Sequence, residues 1–278
     1  MRGDYMEVRE LTPIGLGGEL TDAQGVTGPN GWDPGRLRGL LHRHGVLVLR
    51  GTALDDRGVL SLSRLIGDPD EVTPAADRVP GQTHVRLQSN VPGLGVRADV
   101  AGGFWHTDDG PALATLLRAV EVPAKGGGTA FADMRAAWRA LPAADQAKLA
   151  GLHGWWPARQ LYAAAMSELG GGSAEVLDTL TDEVRPLVRR TVTGEEALHL
   201  SKLWLVQVRE LDQTASKELL ASLYAHATSD TYTYTHTWQA GDVLIWDNEA
   251  VMHRAMPVAE GCRKVTHRIT VRYPVNSS

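Results

Sequence analysis

The chain has 278 residues, 43% of them hydrophobic and 22% charged, a balance that suits a folded globular protein and excludes wholesale disorder. A formal net charge of -5 gives no basic footprint for nucleic acid, and no apolar run reaches the length of a membrane span. The single cysteine, Cys262, excludes an internal disulfide; with no apolar signal core behind Met1-Arg2-Gly3-Asp4-Tyr5, a cytoplasmic location is expected.

Leu37, Leu40 and Leu41 have helical spacing and lead into Gly45-Val46-Leu47-Val48-Leu49-Arg50-Gly51, read as a helix end running into a buried strand. Val59, Leu60, Leu62, Leu65 and Ile66 predict a helix over 56–66 that stops at Gly67-Asp68-Pro69. The proline-rich stretch 69–81 reads as a surface loop, and glycine-rich 93–103 as a second flexible stretch. Two short helices are expected over 134–141 and 143–152, joined at Pro142. An alanine-rich stretch over 158–180 is interrupted by Gly170-Gly171-Gly172, and 212–228 reads as an amphipathic helix. Alternation over 231–238 and 265–273 predicts strands. No repeat or composition break divides the chain, so a single domain over 1–278 is expected.

The chemistry concentrates in His106-Thr107-Asp108 and in His253. Alternate residues of a strand share a face, so His106 and Asp108 on one strand end would point together, with His253 supplied by a neighbouring strand. Two histidines and one carboxylate make a three-point metal site with open positions, a donor set suited to ferrous iron and oxygen chemistry. With ten histidines in the chain a chance HxD is expected, so the tripeptide needs context. His42, His44, His84, His153, His199, His226, His236 and His267 are assigned ordinary surface or core roles. Lys125-Gly126-Gly127-Gly128-Thr129 has its lysine ahead of the glycines, which excludes a phosphate loop of the Walker type and leaves a tight turn feeding a strand.

That context is carried by seven ordered blocks. They are Leu11-Thr12-Pro13-Ile14-Gly15, His44 to Gly51, Phe104-Trp105-His106-Thr107-Asp108, Gly127 to Met134, Gly241 to Asn248, Met252-His253-Arg254 and Thr266-His267-Arg268-Ile269-Thr270. Along its whole length the chain resembles the TauD/TfdA (taurine dioxygenase-like) family of Fe(II)/2-oxoglutarate-dependent dioxygenases. The resemblance implies an α+β fold with a double-stranded β-helix (jelly-roll) core and flanking helices. It implies Fe(II) on His106, Asp108 and His253, with 2-oxoglutarate and O2 as cosubstrates. Thr129 would bind the distal carboxylate of 2-oxoglutarate with a cation from the strand 265–273. There Lys264, Thr266, Arg268, Thr270 and Arg272 share one face, and a basic row facing a barrel interior is costly unless it meets an anion. Arg268 is the favoured anchor, assisted by Lys264 or Arg263, although the two family positions can divide between 2-oxoglutarate and an anionic substrate.

The implied reaction oxidises an unactivated C–H bond of a small polar molecule, most simply by hydroxylation, with release of succinate and CO2. A setting in specialised metabolism is expected; oligomeric state is open, with a homo-oligomer among the options because relatives often form dimers or tetramers. Desaturation or decarboxylative oxidation, for example isonitrile formation, is the alternative outcome on the same iron; a non-catalytic metal-binding jelly roll is the non-enzymatic one. Asp108 speaks against halogenation, since related halogenases lack that carboxylate. The stretch Gly67 to Ala75 lacks the histidine and tyrosine of taurine-specific members, and Gly102 replaces their asparagine. Acidic Asp70, Glu71 and Asp109 are candidates for holding an amine or simply a solvated loop. Trp155, Trp156 and Tyr162 read as core packing rather than a lid, and Trp105 and Trp246 as packing beside the metal residues.

Overall fold

The computed structural model describes residues 7–23, 30–97, 103–108, 112–169 and 173–273. Gly102, Asp109 and the glycines 170–172 lie outside them.

Local signals set the first elements. Asp33 caps the helix Pro34–His44 by accepting from the backbone N–H groups of Gly35 and Arg36, and Pro34 opens the helix where no N–H is needed. Gly45, at φ 67, ends the helix and turns the chain directly into the fully buried strand Val46–Leu49. The second helix spans Asp56–Ser63 under an Asp55 cap, three residues shorter than the apolar spacing predicts. Pro142 separates helices Met134–Arg139 and Ala143–Leu149 as expected, and Asp212 caps the helix Gln213–Ala227.

Among the described residues, nine strands form the larger sheet. Its path runs Val8–Glu10, Gly18–Leu20, Val46–Leu49, Val243–Asp247, Ala112–Glu121, Val265–Arg272, Arg86–Ser89 and Val96–Arg97, with Asp68–Pro69 added beside Val265–Arg272. A three-stranded sheet is ordered Thr233–His236, Thr129–Asp133, Val251–Ala255. Val46, Val48, Leu117, Leu244 and Trp246 of the larger sheet pack with Phe131 and Val251 of the smaller one in a shared core. Alternation sends Leu47, Leu49, Leu116, Ile245 and Ile269 to the opposite face, against Leu37, Leu41, Val59 and Leu62 of the first two helices. The smaller sheet is backed in turn by Met134, Ala137, Leu220 and Leu223. The molecule is therefore a mixed helix-and-sheet protein in four layers, helix on sheet on sheet on helix.

Two expectations about strands change. His106 and Asp108 do not sit on a regular strand: His106 makes an isolated antiparallel bridge to His253, and Thr107 and Asp108 follow it as irregular chain. The strand expected over 231–238 shortens to Thr233–His236, because 230–232 coil into a 3-10 turn.

Candidate metal centre and substrate cavity

The bridge brings the two histidines together through the backbone. His106 donates its N–H to the His253 carbonyl at 3.0 Å and accepts from the His253 N–H at 2.8 Å, which leaves the rings 4.3 Å apart. His253 itself is fixed in the strand Val251–Ala255, opposite Phe131. One donor atom from each of His106, Asp108 and His253 lies within 4.8 Å of the others.

Hydrogen bonds decide which atoms are offered. Nδ1 of His106 is 2.7 Å from the Phe104 carbonyl, so it carries the proton and the lone pair falls on Nε2. His253 turns Nε2 toward Asp108, 3.5 Å from Oδ1. Thr115 donates to Asp108 Oδ2 at 2.5 Å, and Asn248 donates to Thr115 Oγ1 at 3.0 Å. Arg268 Nη2 lies 2.8 Å from Asp108 Oδ1.

Burial pushes His253 down to about 3 and lowers His106 as well, so both imidazoles are neutral bases. Burial would raise Asp108, but the charge of Arg268, with the Thr115 hydrogen bond, holds the carboxyl well below the usual range. Two neutral imidazoles and one carboxylate on one side of an open cavity are the donors a ferrous ion needs, with coordination positions left over.

The centre opens into a cavity of about 470 Å³. Lys264, Thr266, Arg268 and Thr270 line it, while Ile269 and Val271 face the core and His267 pairs with Asp56, as strand alternation requires. Thr129 and Lys264 come together around one indole. Trp238 donates to Thr129 Oγ1 at 3.1 Å, and Lys264 Nζ lies 5.2 Å from the Trp238 ring centroid while donating to the Gly127 carbonyl at 2.6 Å. Because Thr129 accepts there, its own hydroxyl proton is free to donate. Gly126 and Gly127, at φ 74 and 69, form the tight turn ahead of the strand Thr129–Asp133. Arg263 takes no part, since it pairs with Glu121 at 2.8 Å on the surface.

The remaining polar candidates are placed as follows. Asp70 and Glu71 reach the cavity but are paired with Arg272 at 2.5 Å and Arg78 at 2.7 Å, so an amine would compete with arginines for them. Tyr162 lines the cavity rather than the core, whereas Trp156 is fully buried. Trp246 stands 4.8 Å from the His253 ring, and Trp105 stacks beneath Arg254. His236 is a buried histidine bonded to Asp242 at 3.0 Å, as an ordinary core role requires. Arg86, Trp204 and Thr115 were not marked by any motif, and Asn248 ended the block Gly241 to Asn248 without a role of its own. Thr115 alone had a signal, a hydroxyl inside the apolar run Ala112-Leu113-Ala114-Thr115-Leu116-Leu117.

The family model described as "Taurine catabolism dioxygenase TauD, TfdA family" matches residues 7–270. Pentalenolactone F synthase of Streptomyces arenae is 30% identical over 242 residues, 81% of each chain. The alpha-ketoglutarate-dependent sulfate ester dioxygenase of Pseudomonas putida is 30% identical over 247 residues, covering 84% of this chain and 79% of its own. The crystal structure of a taurine dioxygenase from Burkholderia xenovorans superposes with a TM-score of 0.77 at 26% identity, over 96% of this chain and 89% of that one. The chain belongs to the TauD/TfdA family. It is an Fe(II)/2-oxoglutarate-dependent dioxygenase that uses Fe(II), 2-oxoglutarate and O2. Among the described residues no helix is long and apolar enough to cross a membrane.

Proposed function

We propose that this enzyme hydroxylates an unactivated C–H bond of a small polar, anionic molecule in specialised metabolism. The observation that carries the reading is the convergence of His106, Asp108 and His253 with two separate cations, Lys264 and Arg268, on one cavity. His106, Asp108 and His253 hold the iron. The whole stretch 1–278 is one catalytic domain, with the two facing sheets as the halves of a jelly roll.

The division of cations differs from the one favoured by the sequence. Thr129 and Lys264 share Trp238, so they make a hydroxyl-plus-cation pair for the distal carboxylate of 2-oxoglutarate. Arg268 sits against Asp108, at the metal, where it is placed to orient an anionic substrate. The bound iron and cosubstrate supply the oxidation; the protein's residues orient the substrate and exclude water. Thr115 and Asn248 fix the Asp108 carboxylate. Leu203, Trp204 and Val176 offer apolar walls for the carbon skeleton. Similarity to pentalenolactone F synthase supports the metabolic setting, and similarity to a sulfate ester dioxygenase supports an anionic substrate.

Succinate release measured across carboxylates, sulfonates, sulfate esters, phosphonates and amino acids tests this. The true class raises 2-oxoglutarate turnover and gains one oxygen atom. Loss of two hydrogens instead would identify desaturation, and a panel in which no anion stimulates succinate release would contradict the anionic assignment.

A further inference from the structure

Arg86 faces the same cavity as Arg268, and the two are register partners on neighbouring antiparallel strands. Cross-strand partners stand about 4.5–5.5 Å apart at Cα, and like charges placed directly opposite destabilise a sheet. Neither Arg is matched by a close carboxylate of its own on the substrate side. Arg86 donates to the Thr73 carbonyl at 2.7 Å and reaches Asp77 Oδ2 only at 3.9 Å; Arg268 pairs with Asp108. Asp77 is therefore a partial counter-charge to Arg86, held at the long end of an ion-pair distance. Arg86 in turn is lowered, first by burial and then by the charge of Arg268, so the two guanidinium groups feel one another.

Formal charges in the loaded site sharpen this. Two positive charges on iron(II) and one on Lys264 are cancelled by Asp108 and the two carboxylates of 2-oxoglutarate. Asp70 and Glu71 are already matched by Arg272 and Arg78. Arg268, and Arg86 with only the more distant Asp77 against it, are left facing the substrate space.

We propose that Arg86 and Arg268 form a two-arginine clamp for a substrate head group carrying two negative charges, of the phosphonate or phosphate-ester class. This rests on the dioxygenase reading above, and on Arg268 facing substrate rather than 2-oxoglutarate. The planar forks of two adjacent arginines match the several oxygens of one phosphoryl group, and a doubly charged head relieves the repulsion that the sheet register imposes. Gln88, two residues along the strand from Arg86 and also on the cavity wall, adds a neutral polar neighbour. A singly charged sulfate or carboxylate would satisfy only one of the arginines.

Titration calorimetry with the enzyme loaded with Mn(II) and 2-oxoglutarate reads this without turnover. Phenyl phosphate and phenyl sulfate are near-isosteric probes, and near pH 8 the phosphate, whose second pKa is about 6, carries both charges. The wild type is expected to bind phenyl phosphate roughly tenfold or more tightly than phenyl sulfate. Arg86→Met should bring the two affinities within about twofold by weakening the phosphate alone, and Arg86→Lys, which keeps the charge but loses the fork, should fall between. Arg268→Met should weaken both. Equal affinities in the wild type, no binding of either anion, or equal weakening of both by Arg86→Met would overturn the clamp. Melting temperature reports folding of each variant. The Fe(II)–2-oxoglutarate absorption band separates the two levels: its absence in the wild type removes the dioxygenase reading itself, and its presence without a phosphate preference removes only the clamp.

Discussion

Thr115 donates its hydroxyl to Asp108 Oδ2 at 2.5 Å, and this bond fixes the orientation of the one carboxylate in the proposed metal centre. Thr115 is fully buried, and Asn248 behind it donates to the same hydroxyl oxygen. Thr115→Val keeps the shape and removes both bonds. The expected outcome is a roughly ten- to hundredfold loss of metal affinity. Leaving the Asn248 amide unsatisfied should also cost about 1–3 kcal/mol of stability. Metal titration and thermal melting measure the two effects separately.

With Lys264 as the proposed anchor, 2-oxoglutarate binding should depend on pH. Burial lowers its ammonium to about 8, so the cation is present below that pH and is lost above it. Of the titratable groups nearby, His236 is lowered by burial and stays neutral across this range. KM for 2-oxoglutarate should be flat at neutral pH and rise as the pH passes about 8, because only the charged lysine attracts the carboxylate. Lys264→Arg should flatten the profile, since a guanidinium does not deprotonate there. A KM equally pH-dependent in both proteins would place the anchor elsewhere.

How much of this was legible follows from where each signal lies. That His106, Asp108 and His253 come together could be read because a local tripeptide supplied two of them and a patterned block supplied the third. Alternation along Val265–Arg272 likewise gave the cavity-facing row from Lys264 to Thr270, whereas Arg272, past a register shift, pairs with Asp70 instead. The proposed division of labour between Lys264 and Arg268 had no signal in the sequence, because it rests on Trp238, which reaches Thr129 and Lys264 through tertiary packing. The ten-residue strand Ala112–Glu121 escaped notice because it is buried on both faces and reads as an apolar run without period. Arg86 carries no motif; only its register opposite Arg268 gives it meaning. The expected geometric reason for the HxD spacing also changes, since a single backbone bridge to His253, rather than a regular strand, places His106.

The glycine turn before Thr129 is a structural requirement for the proposed cosubstrate pocket. Gly126 has φ 74, and a Cβ there would lie 2.5 Å from the Pro257 carbonyl oxygen. Gly126→Ala should destabilise the protein by about 1–3 kcal/mol through strain and the backbone clash. It should also raise KM for 2-oxoglutarate, because the adjacent Gly127 carbonyl holds Lys264. Thermal melting together with 2-oxoglutarate titration checks both.

The central claim is that His106, Asp108 and His253 form one iron centre that takes 2-oxoglutarate. Anaerobic titration of Fe(II) into the protein with 2-oxoglutarate present, followed by visible absorption, tests it most directly. The prediction is a weak metal-to-ligand band that saturates at one iron per chain and vanishes in His106→Ala and His253→Ala. A wild-type protein that gives no band, or a band that survives either substitution, would contradict it.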